Sequence, residues 1–286
     1  MTPKQYLDRY TYFTVRNPRT GMIEQAPITG YGSGWTTKHR SNGPACQMEY
    51  LNGFRPALCL AVNGKAGNHP PSVFFMPTAL NGLSDMDCFC TMSFIRSFLG
   101  KGSPDEIADT VRMAIALGRI GTDKDINGKR PAASTAAEYV KKFISLDCNG
   151  YSGNYYGINP ETAVSGYASH ARRRARAADV QVGDSVVTLT AEGSYKHVAV
   201  IAEWNCPPLG SKSTKCRFRL CEWGQAGDEA AHYTEGDAAE FDIVQGPNRA
   251  YGVGFSRNPA KSFRYIFKPP QRLKERGWGL GSDMAA

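Results

Sequence analysis

A chain of 286 residues, 41% hydrophobic and 21% charged, is long enough to bury one large core or two smaller ones, which excludes a disordered or fibrous protein. It has no run of 18 apolar residues, and its opening MTPKQYLDRYTYF lacks the regions of a secretory signal, so neither membrane insertion nor export by a cleaved leader is expected. The eight cysteines are too sparse for a disulfide scaffold, and the net charge of +8 is concentrated in the run ARRRARA and between Arg257 and Arg276.

Residues 1–100 are rich in Gly, Pro, Asn and aromatics, and the apolar runs RPALCLAV (55–62) and PPSVFFMP (70–77) read as strands between turns. Helical signal begins at SPDEIADTVRMAIALG, where Ser103 is an N-cap, Pro104 the first helical residue and Glu106 the closing residue of a capping box. A second box, Thr135 to Glu138, opens AAEYVKKFISL, with Tyr139, Phe143 and Leu146 on one face. Asp147 then reads as the N-cap of a third helix, CNGYSGNYYG, with Cys148 at its start and Gly157 as its C-cap; its two internal glycines weaken it but permit close backbone approach.

Beyond Gly157 the chain changes character. VQVGDSVVTLTA, YKHVAVIAEW, CRFRLCEWG, AEFDIVQG and SFRYIFKPP are short β-branched or aromatic runs separated by turns, as in an antiparallel sheet. Helices followed by strands predict an α+β fold. The expected organisation is an N-terminal region over 1–102, serving wall binding, loading or elaboration of the core, a catalytic domain over 103–270 and a loose tail over 271–286.

The chemistry centres on Cys148. A cysteine opening a helix faces the positive end of the helix dipole and the unpaired first amides, which favour a thiolate and can hold an oxyanion. Thiol catalysis also needs a base and a group that orients the base. His197 stands at the start of an apolar strand, and Glu222 ends the next one, so in a hairpin joining the two runs the acid lies near the histidine. A second Asp-Cys pair, Asp87–Cys88, has only His39 and His69 upstream and no strand set after it, so Cys88 and Cys90 are read as core packing, and His170 and His232 as loop or surface residues. No zinc-ligand spacing surrounds the C-x-C of Cys88 and Cys90, and no metal or other cofactor is expected. Cys206 and Cys216 bracket a loop that a disulfide would close in an oxidising compartment.

These residues carry a family resemblance. DCNGY resembles the D-C-S-G motif of NlpC/P60 cysteine peptidases, with Asn149 in place of Ser; GINPETAVSGYA, VQVGDSVV and KHVAVIAEW resemble the segments that follow it, and RLCEWG resembles the related CHAP amidases. The resemblance covers residues 138–223 and implies a papain-like core in which Cys148 is the nucleophile, His197 the general base and Glu222 the orienting acid, with Asp147, Asn149, Gly150, Tyr151 and Trp223 beside the substrate. The P-Y-x-W-G-G segment that precedes the cysteine in the family is missing and no Asn follows Glu222, which leaves Gln225 and Asp228 as alternative orienting groups.

The function the resemblance implies is an amidase or endopeptidase acting on the stem peptide of bacterial peptidoglycan, of phage-lysin or secreted antibacterial-effector kind. Such a protein is made in the cytoplasm, acts in the wall or periplasm, and has an immunity protein or a secretion machine as partner. The alternatives are a papain-like protease or acyltransferase acting on a protein, and a non-enzymatic basic protein that binds wall polymer or nucleic acid. No recognisable nucleic-acid module accompanies the charge, so nucleic acid is not the expected partner.

Overall fold

The computed structural model describes residues 1–32, 34–35, 43–65, 67–75, 87–205, 215–226, 229–233, 239–245, 253–255 and 262–270. The expected tail over 271–286, His39, Asp228 and the side chains of Gln225, Cys206 and Cys216 lie outside what is described.

The N-terminal part is helical with two small hairpins. Helix α1 (Pro3–Thr11) is closed by a capping box between Thr2 and Gln5. Strands β1 (Thr14–Arg16) and β2 (Ile23–Gln25) pair antiparallel, followed by α2 (Gly43–Met48), a π-helical turn (Glu49–Phe54) and α3 (Arg55–Asn63). RPALCLAV is therefore helix and not strand. Pro56 sits in the first helical turn and Gly64 ends the helix at φ 66, so the run has helix punctuation at both ends. Strands β3 (Val73–Phe75) and β4 (Cys88–Cys90) form the second hairpin, which places a strand within PPSVFFMP. Phe89 of β4 is buried, whereas Cys88 and Cys90 on either side of it are only half-buried, so the core packing expected of them falls to Phe89.

Helices α4 (Thr91–Phe98), α5 (Pro104–Ala116), α6 (Ala136–Phe143) and α7 (Cys148–Tyr156) follow. Both arms of the Ser103–Glu106 box are formed. Thr135 caps α6 through the Glu138 amide, but the Glu138 carboxylate turns to Ser134 and Lys142. Helix α6 stops at Phe143, because Leu146 is taken by backbone pairing with Tyr31.

Strands β5 (Ser185–Thr190), β6 (Tyr195–Asn205), β7 (Lys215–Ala226), β8 (Glu229–Tyr233), β9 (Ala239–Gln245), β10 (Val253–Phe255) and β11 (Ser262–Phe267) form one antiparallel sheet in the order β6-β5-β11-β10-β9-β7-β8. An additional β6–β7 pairing joins its two ends, so six strands close into a ring from which β8 extends. Alternation sorts the side chains into two cores. Val186, Ala199, Ile201, Phe218, Leu220, Phe255 and Ile266 pack together within the ring. Their neighbours Val187, Val198, Val200, Cys221, Trp223, Tyr265 and Phe267 join the helices on the other face. The fold is thus α+β, with helices packed on an antiparallel sheet. His232, read as a loop or surface residue, lies in β8 with its Cα paired to that of Glu222.

Residues on both sides of position 102 share the helix-facing core. Tyr10 of α1 meets Trp223 edge-on at 5.7 Å, and the Tyr151 hydroxyl donates to the Pro3 carbonyl at 2.9 Å. A buried ion network ties the same halves together. Arg119 forks onto Glu49 at 2.6 and 2.9 Å and reaches Asp125 at 2.7 Å, while Tyr139 donates to Glu49 at 3.2 Å. Arg119→Met strands two buried carboxylates and is expected to cost about 3–5 kcal/mol, read by urea denaturation; a cost under about 1 kcal/mol would contradict a structural role for the network.

The arginine run is largely engaged within the chain. Arg174 forks onto the buried Asp184 with both contacts at 2.8 Å, Arg176 pairs with Asp179, and Arg172 donates to the Gly166 carbonyl. Asp184 also accepts from the Gln181 amide, so the Gly-Asp turn before β5 is built around this ion pair. Among the described residues no helix is long and apolar enough to cross a membrane.

Candidate active site

The site begins with a helix start. Asp147, in extended conformation, caps α7 by accepting from the Gly150 amide through Oδ1 at 2.6 Å. Gly157 ends the helix in the left-handed region at φ 63. Cys148 is the first residue of α7 and is 6% exposed.

Three chain segments meet behind the thiol with their backbones almost in contact. The Asp147 amide donates to Gly100, the Gly32 amide to Leu146, and the Leu146 amide to Gly30. A Cβ on Gly100 would lie 2.0 Å from the Gly32 carbonyl oxygen, and one on Gly150 would lie 2.2 Å from that of Gly100. Glycine is required at both places, and this close approach fixes where the helix begins. Tyr31 and Tyr167 stand near the thiol. Burial, then the charges of Cys148 and Asp147, push the Tyr31 phenol up to about 12, and the same causes raise that of Tyr167.

The sheet supplies the imidazole. His197 on β6 lies opposite Thr188 of β5, and the register then shifts so that Tyr195 pairs with Leu189. The extra residue, Lys196, makes a bulge beside the histidine, a device that re-aims a side chain at a strand end. On the other flank a Cβ on Gly224 would lie 3.3 Å from Cε1 of the ring, so β7 leaves space for the imidazole at that point.

His197 is hydrogen-bonded to Glu222 and lies near enough to Cys148 for the thiol to act on its protonation. Its Nε2 lies 2.9 Å from Glu222 Oε2, so Nε2–H donates to the carboxylate and Nδ1 is the ring nitrogen that gains or loses the proton. Burial works against the charged ring, but Cys148 and Glu222 outweigh it and raise its pKa to about 9. Arg264 of β11 approaches the same carboxylate oxygen at 3.6 Å. A thiol at a helix start, an imidazole and a carboxylate in line form an arrangement able to attack a carbonyl and protonate its leaving group.

The structure therefore brings Cys148, His197 and Glu222 together. It gives four of the five residues expected beside the substrate a different task. Tyr151 and Trp223 are fully buried, the indole donating to the Gly30 carbonyl at 3.1 Å. Gly150 is packed against Gly100, and Asp147 is buried with its carboxylate shared between the Gly150 amide and Lys101. All four are buried in the packing around the site and have no free surface for a ligand. Only Asn149, half-buried in the first turn, stays at the edge of the site, with its Oδ1 buried and unpartnered among the described residues. His69 and His170 are exposed. Among the described residues no three His, Cys, Asp or Glu are gathered so as to hold a metal ion.

Sequence reasoning missed Tyr31, Lys101, Gly224 and Arg264, all brought in by tertiary contacts. Compared with protein-family models, curated proteins and solved structures, the chain has no significant match.

Glu222→Gln is expected to fold and to slow turnover mainly in kcat, because the amide still orients the ring but does not stabilise the imidazolium that develops. Glu222→Ala should be slower still, since it also releases the ring. Steady-state kinetics on both variants test this, and wild-type rates in both would move the orienting role elsewhere.

Proposed function

We propose that the protein is a thiol hydrolase with a papain-like core that cleaves an amide bond in bacterial peptidoglycan. The observation that carries the proposal is the meeting of Cys148 at the start of α7 with His197 on β6, which is bonded in turn to Glu222 on β7. The Cys148 sulfur attacks the carbonyl carbon of the amide, and the oxyanion is received by the free amides at the start of α7. The imidazolium of His197 gives its proton to the departing amine as the C–N bond breaks. His197 then takes a proton from water, which releases the acid and restores the thiol.

The amide-bearing stem peptide as substrate comes from the resemblance of DCNGY, KHVAVIAEW and RLCEWG to NlpC/P60 and CHAP enzymes. With it come action in the wall or periplasm and an immunity protein or secretion machine as partner. Mass spectrometry of muropeptides after digestion of purified sacculi tests it. Fragments cut at an amide should appear with wild type and not with Cys148→Ala, and an unchanged muropeptide pattern would refute the substrate.

One observation favours a second reading, in which the same thiol acts on a protein. Arg174 and Arg176 are paired with Asp184 and Asp179, so the arginine run offers less free charge to an anionic wall polymer than its composition implies.

A further inference from the structure

We propose that Lys101 is a positioning residue for the thiol, cancelling the charge of Asp147 and holding that carboxylate on the start of α7. The inference rests on the reading of Cys148 as the nucleophile. Lys101 Nζ lies 2.5 Å from Asp147 Oδ2, and the two side chains are only 11% and 5% exposed. The other carboxylate oxygen is committed to the Gly150 amide, so both oxygens of Asp147 are held. The lysine is itself anchored to the same helix, since its carbonyl accepts from Asn154 Nδ2 at 2.9 Å and the neighbouring Gly100 carbonyl accepts from the Asp147 amide.

The consequence is electrostatic. The cap that starts the helix places a carboxylate one residue from the sulfur, in a site removed from water. A negative neighbour opposes formation of a thiolate, whereas the helix start and an imidazolium favour it. Among the described residues, the groups around the thiol are His197 from β6 with Glu222 of β7 behind it, Arg264 of β11 beyond Glu222, the phenols of Tyr31 and Tyr167, and Asp147 on its own helix. Lys101 is the cation that the described residues bring to Asp147. It lets the chain keep an acidic N-cap beside a thiol without the repulsion such a cap would exert.

The test is the pH dependence of Cys148 alkylation by iodoacetamide in the full chain, followed by peptide mass spectrometry. Lys101→Met should move the midpoint to higher pH by about one unit, which is about tenfold slower labelling at neutral pH. Lys101→Arg should stay near wild type. The double variant Lys101→Met/Asp147→Asn should return toward wild type, because asparagine still caps the helix and no stranded charge remains. An unchanged profile in Lys101→Met, or a double variant as slow as the single one, would overturn the proposal. If circular dichroism shows Lys101→Met unfolded, the double variant decides, since it must fold and label with the wild-type profile. The readout is labelling and not hydrolysis, so a failure here is distinct from a failure of the nucleophile reading, which would show as hydrolysis persisting in Cys148→Ala.

Discussion

Cys148→Ala is expected to abolish hydrolysis of sacculi, with a loss of at least about four orders of magnitude in turnover, while the protein stays folded. The change is small in volume and leaves in place the Asp147 cap, the Lys101 pair and the contacts of Gly30, Gly32 and Gly100, so any stability cost should be within about 2 kcal/mol. Cys88→Ala is the control. That thiol is half-buried on β4, and removing it should leave turnover unchanged and stability altered by about 1 kcal/mol or less. Full hydrolysis by the Cys148 variant would remove the nucleophile from the account.

His197→Ala should cost several orders of magnitude in kcat, and His69→Ala or His170→Ala nothing, because His197 is bonded to Glu222 and coupled to Cys148 whereas the other two are exposed. The pH dependence has a definite sign. Burial lowers the proton affinity of His197, but Cys148 and Glu222 override it and raise its pKa from 6.5 to about 9. Its contribution to stability is then complete below about pH 6.5 and is lost as pH rises through about 9. Wild type should lose stability across that window, His197→Ala should lack this component, and activity should fall on the alkaline side as the imidazolium is depleted. Denaturation midpoints measured from pH 6 to 10 on both proteins check it, and parallel curves would contradict the ion-pair geometry.

The parts of the molecule legible in the sequence are those fixed by local chemistry. Ser103 with Glu106, Thr135, and Asp147 with Gly157 mark helix ends because each side chain or glycine satisfies orphan backbone groups within a few residues. The β6–β7 hairpin was readable for the same reason, since alternation and a turn-rich loop set which residues lie near His197. Helix α3 was not, because RPALCLAV is a continuous apolar run, and such a run has no period that separates a buried strand from a buried helix. The capping box of α1 at Thr2 and Gln5 is a signal of the same local kind. What no local pattern contains is the packing behind the thiol. Lys101, Gly100 and Gly32 stand far from Cys148 in sequence, and they matter only because the chain returns three times to one place. The same return explains why Tyr151 and Trp223, close in sequence to Cys148 and Glu222, became core. Alternation turns Trp223 to the opposite face from Leu220, and the helix turns Tyr151 toward α1.

The most direct measurement compares alkylation rates of individual cysteines at neutral pH in wild type and His197→Ala, resolved by peptide mass spectrometry. Accessibility alone would rank the half-buried Cys88 and Cys90 above the buried Cys148, so exposure and activation make opposite forecasts. Cys148 is expected to be labelled fastest in wild type and to fall behind Cys88 and Cys90 when His197 is removed. Labelling that follows exposure in both proteins would contradict an activated thiol.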